Sequence, residues 1–172
     1  MGIVIIFLED PMKKLFFALF IGLFLFKVND QIEAATTATA TITYTIGSID
    51  AITVSGNPGT LTVSTAVAGS APTSATDATT TYAVTTNNTA RKITGALATA
   101  MPSGTTLTAN LGAPTGGTSA GAVTLTTTAA SLVTGIANIA QGSLTITYTL
   151  AATVSAAQVT AATNTLTYTV GP

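Results

Sequence analysis

The chain has 172 residues, no cysteine and no histidine, with Lys+Arg 5 against Asp+Glu 6 for a formal net charge of -1. Those counts exclude disulfide scaffolds, Cys/His metal centres and histidine-based nucleophilic triads. Only 6% of residues are charged, and the adjacent basic pair Arg91-Lys92 points to opposite faces of a strand, so no nucleic-acid partner is expected.

In chain order, residues 1–11 precede a second methionine, and one choice of codons for Leu8-Glu9-Asp10 contains a ribosome-binding type of sequence. Translation is therefore expected at Met12, with 1–11 a mis-called extension. From Met12 the chain reads as an export signal. Lys13 and Lys14 supply a positive start, Leu15–Phe26 is an apolar run of 12 residues, and Ala34 ends a cleavage site that leaves Ala35 first. A second site after Ala35 also fits. A helix of that run reaches roughly 18 Å against a hydrocarbon core of roughly 30 Å, so a cleaved signal is expected and an uncleaved N-terminal anchor is the alternative. The expected location is secreted or cell-surface, with membrane contact only through residues 12–34 before cleavage.

Removing the signal removes all six Phe. From Ala35 onward, 39 of 138 residues are Thr and 28 are Ala. The charged residues that remain are Asp50, Asp77, Arg91 and Lys92, and the aromatic ones are Tyr44, Tyr82, Tyr148 and Tyr168. Such a surface tolerates close contact with copies of itself, because few ions need desolvation.

Alternation with period two then dominates. Ala40–Ile46 puts Ile42, Tyr44 and Ile46 on one face and threonines on the other. The pattern returns at Leu144–Leu150 and Leu166–Val170, so Thr-Tyr-Thr occurs from Thr43, Thr147 and Thr167. These predict half-buried strands. Shorter strands are predicted at Ile52–Val54, Thr60–Val67, Thr80–Thr86, Arg91–Thr94, Thr105–Leu111 and Ala122–Thr128. Gly56–Gly59, Asn87-Asn88, Met101–Gly104 and Ala113–Gly117 carry the turn residues between them. Ala129–Ala140 hints at a helical turn, because Leu132, Ile136 and Ile139 have helical spacing. The fold class expected is all-β: an antiparallel β-sandwich, Ig-like or Greek-key, of eight to nine short strands in one domain over 35–172. Irregular spacing of the repeated motif argues against a solenoid.

Chemistry has few candidates. Asp50 and Asp77 are the two carboxylates of the mature chain, and glycoside hydrolysis needs such a pair to converge in one cleft. Both sit beside small turn-forming residues, where an Asp bonds its own backbone, so no enzyme activity is expected. A weak calcium site from Asp50 or Asp77 with Asn57 or Asn87 is the less favoured reading, and no cofactor or metal is expected. Lys92 is the one lysine available for an isopeptide crosslink, which needs a buried carboxylate beside it. Asn87-Asn88-Thr89 matches the short glycosylation pattern.

Export, near-absence of charge and a separate alternating segment point to a structural subunit of an extracellular fibre, pilus or surface layer. In this reading Ala35–Ile46 is donated as a strand to a neighbouring copy, with Ile42, Tyr44 and Ile46 as its interface residues. Identical subunits are the expected partners. The layout over 35–172 resembles that of secreted bacterial pilin-like subunits, including fimbrial and biofilm-fibre proteins, although the paired cysteines of many chaperone–usher pilins are missing. The alternatives are an ordinary first strand over Ala35–Ile46, and a monomeric secreted module for adhesion, carbohydrate or ice.

Overall fold

The computed structural model describes residues 36–172; the expected extension, the signal stretch and the cleavage point at Ala34 and Ala35 lie outside the described residues. The described chain is all-β. It contains nine strands: β1 (Asp50–Val54), β2 (Ala75–Thr86), β3 (Arg91–Leu97), β4 (Thr105–Leu111), β5 (Thr118–Ser119), β6 (Val123–Thr124), β7 (Ala130–Ile136), β8 (Ile139–Ala152) and β9 (Leu166–Gly171). They form two antiparallel sheets, one ordered β1-β2-β8-β4-β6 and the other β5-β7-β3-β9.

The alternation in the sequence explains the long central strands. In β8, Leu144, Ile146 and Tyr148 turn inward while Thr145 faces solvent. In β2, Thr80, Tyr82, Val84 and Thr86 are buried at every second position. Side chains from both sheets meet in one hydrophobic core, with Tyr82, Ile93, Leu111, Leu132, Ile136 and Ile146 at its centre. Each aliphatic chain there contributes about 1.5–3 kcal/mol by leaving water.

The outward face of the larger sheet is lined by hydroxyls. Thr76, Thr149, Thr108 and Thr124 stand opposite one another across β2, β8, β4 and β6. The first two approach oxygen to oxygen at 3.3 Å.

Several expectations need correction. Ala40–Ile46 is no strand, and neither is Thr60–Val67, where pairing is limited to one isolated bridge, Ala66↔Pro72. Ala122–Thr128 shrinks to the two residues of β6. The helical spacing in Ala129–Ala140 belongs to β7 and the start of β8. Register shifts where β7 meets β3 turn the neighbours Leu132 and Val133 both inward, which breaks simple alternation. Gly135 (φ 72) and Asn138 (φ 43) then adopt the left-handed conformation that a helix excludes.

Candidate assembly surface

Thr45–Pro172 forms one compact unit that holds both sheets. Thr36–Tyr44, taken by itself, contains no strand. The three expected interface residues are all exposed: Ile42 at 81%, Tyr44 at 81% and Ile46 at 77%. A scattered exposed aliphatic residue is ordinary, whereas three at alternate positions of one short run are not.

Immediately after this run the chain is clamped. The Asn87 side chain donates to Gly47 O at 2.8 Å and accepts from Ile49 N at 2.8 Å. Asn88 Nδ2 reaches Ser48 Oγ, Ile49 O and Asp50 Oδ1 at 2.9, 3.1 and 3.1 Å. Asp50 carries the clamp onward: it accepts from Thr86 Oγ1 at 2.6 Å and pairs with Arg91 Nε at 3.0 Å. These donors hold its carboxyl below the ordinary value of 3.8, with the Thr86 bond the largest cause. The Asn87-Asn88 turn was legible in the sequence. Its partners, some forty residues earlier in the chain, were not.

The candidate carboxylates are separated by the fold. Asp50 lies opposite Thr86 at one end of β2 and Asp77 lies near the other. Nine residues of strand place them roughly 30 Å apart. A glycosidase pair needs about 5–9.5 Å, so these two do not form one. Asp77 instead accepts from Thr79 N at 3.2 Å and Thr79 Oγ1 at 2.9 Å, as a turn-forming Asp does. Asn87 has its amide committed to the clamp. Among the described residues no three of His, Cys, Asp and Glu gather into a metal-binding group. Lys92 lies half-buried on β3 opposite Gly171, while the Asp50 carboxylate is engaged by its neighbour Arg91.

The tyrosines show what the alternating pattern becomes inside a sheet. Tyr82 is buried and donates to Gly112 O at 2.6 Å, and burial pushes its hydroxyl up to about 12. Tyr148 and Tyr168 share a hydroxyl–hydroxyl bond of 2.8 Å, and burial raises both. Tyr44 occupies the same sequence context as these last two and is exposed. A separate groove of about 970 Å³ is lined by Leu61, Val63, Met101, Leu150, Val154 and Val159. Compared with known proteins, the chain matches no family model, no curated protein and no solved structure.

Proposed function

We propose that the protein is an exported structural subunit of an extracellular fibre, pilus or surface layer, and that its two sheets pack as a Greek-key β-sandwich. In this reading Ala35–Ile46 is the strand one subunit donates to the next. The observation that carries the reading is the exposure of Ile42, Tyr44 and Ile46 outside any strand, in a hexamer whose counterparts in β8 and β9 turn the same residue types toward the core. A donated strand gains main-chain hydrogen bonds for affinity and alternate side-chain pockets for register. Such a contact between unlike surfaces does not close on itself, so it propagates a filament. The clamp at Gly47–Asp50 supports this by giving the donor a fixed root. The low charge of the mature chain supports it by sparing the interface ion desolvation.

The test is purification of the chain from Ala35 with and without Ala35–Ile46, followed by electron microscopy and light scattering. Filaments are expected from the longer form only. A protein that stays monomeric at high concentration in both forms would sink the proposal.

A second reading, a secreted binding module whose ligand is ordered water or a regular polysaccharide face, has one observation in its favour. The row Thr76–Thr149–Thr108–Thr124 repeats hydroxyls and methyls across four strands at about 4.8 Å spacing. Inhibition of ice recrystallisation, or retention on insoluble polysaccharide, that is lost on Thr108→Lys would favour it.

A further inference from the structure

Four strands lie at sheet edges, and three of them are poor templates. β5 and β6 are two residues each. β1 carries Asp50, whose carboxylate is fixed by Thr86, Asn88 and Arg91. β9 differs. It has six residues and pairs with β3 in unbroken register from Lys92↔Gly171 to Leu97↔Leu166. It has no charge, no internal proline and no bulge, the devices that normally blunt an edge. Its Leu166, Tyr168 and Val170 are only partly buried at the margin of the core.

The chain also contains a segment matched to this edge. Thr165–Val170 reads TLTYTV and Thr41–Ile46 reads TITYTI, with the same alternation and with Tyr at the same place. We propose that the outer edge of β9 receives Thr41–Ile46 of a second copy, antiparallel, with Tyr44 opposite Tyr168. The proposal rests on the strand-donor reading above and supplies its acceptor. Ile42 then faces Val170 and Ile46 faces Leu166, so the three exposed apolar residues cover the three partly buried ones.

The direction follows from the clamp. Asp50 is bound to Arg91, the neighbour of Lys92, and Lys92 lies opposite Gly171. The root of the donor therefore sits at the Gly171 end of its own β9. An antiparallel pairing in the same chain would put Ile46 beside Leu166, five residues or roughly 17 Å from that end. Gly47 is already held by Asn87, and one peptide step from it spans about 3.8 Å. A chain can reach its own β9 only in the parallel sense. Every pairing between the strands of the two sheets is antiparallel, and the proposed contact continues that pattern only by taking the strand from another copy.

Engineered cysteines test this directly, because the chain has none of its own. Chains from Ala35 carrying Thr43→Cys are mixed with chains carrying Thr169→Cys, Thr167→Cys or Thr62→Cys, then oxidised and run on non-reducing gels. The expected result is a shift to linked pairs with Thr169→Cys as the main product, because residues 43 and 169 are directly opposite. Hydrogen exchange on the unsubstituted chain gives an independent readout: amides across Leu166–Gly171 slow on assembly. Filaments that crosslink through Thr167→Cys, or through Thr62→Cys in the groove, would overturn this acceptor and leave the fibre reading standing. So would filaments in which the β9 amides exchange as in the monomer. A chain that gives neither filaments nor crosslinks would overturn both.

Discussion

The hydroxyl oxygens of Tyr148 and Tyr168 lie 2.8 Å apart and join β8 of the larger sheet to β9 of the smaller one. This is a polar fastening across an apolar seam, one hydroxyl donating and the other accepting. Tyr168→Phe leaves the Tyr148 hydroxyl with an unmet bond, so a loss of about 1–2 kcal/mol is expected, read as a lower urea midpoint. The double change to Phe at both positions should cost less than the two single changes together.

Alkaline pH acts on the same groups. Burial raises Tyr148 and Tyr168, and raises Tyr82 from 10.0 to about 12. The unfolded chain releases these protons near pH 10 while the folded chain keeps them. Their contribution to stability is therefore complete below about pH 10 and falls as pH rises from there, the Tyr82 part being lost as pH passes through about 12. Denaturant midpoints stepped through this range should fall together with the appearance of tyrosinate absorbance. Tyr82→Phe should flatten the fall.

The acid side is governed by Asp50. Its folded value is lowered, so its contribution is present above 3.8 and disappears as pH drops through the folded value. Asp50→Asn should remove this part of the acid dependence. Asn87→Ala cuts the clamp elsewhere and should cost about 1–2 kcal/mol. Faster hydrogen exchange at Gly47–Asp50, with the β8 amides unaffected, would separate a loosened root from general unfolding.

Gly104 has φ 77, and a Cβ there would sit 2.8 Å from Thr153 Oγ1 and 2.9 Å from the Ala156 backbone. Gly104→Ala is expected to destabilise by about 1–3 kcal/mol, because the backbone cannot give way. Gly121 has a similar φ of 73 but open space around it. Gly121→Ala should carry only the conformational cost of about 1–2 kcal/mol. Thermal melts of the two variants compare these directly.

Thr80 offers the opposite sign. It is 2% exposed and its Oγ1 has no hydrogen-bond partner. Thr80→Val keeps the branched shape and removes the orphan hydroxyl, so a gain of about 1 kcal/mol is expected in chemical denaturation.

Alternation in the sequence located β4 and the middle of β8, which pair on both sides, but missed β7, whose register shifts break the pattern. Thr105–Leu111 matches β4 residue for residue, and Leu144–Leu150 lies within β8. It failed at Ala40–Ile46 because periodicity says which face is apolar and not whether a neighbour is available. Thr60–Val67 failed for the same reason. The clamp of Asp50, Thr86, Asn88 and Arg91 was not legible either: each of those residues is ordinary in a turn or strand, and their meeting depends on the β1–β2 register. Tyr148 and Tyr168 lie on the apolar faces that alternation gave them while Tyr44 does not, and the contact between Tyr148 and Tyr168 across the two sheets was not expected.

The hydroxyl row on the outer face of the larger sheet has a consequence for behaviour in brine. Arg91–Asp50 is the single ion pair among the described residues, and threonines stand where other proteins place lysine and glutamate. Added salt shortens the range of charges and has little effect on methyls and hydroxyls. A fibre of the kind proposed above should therefore hold its subunits as firmly in fresh water as in seawater.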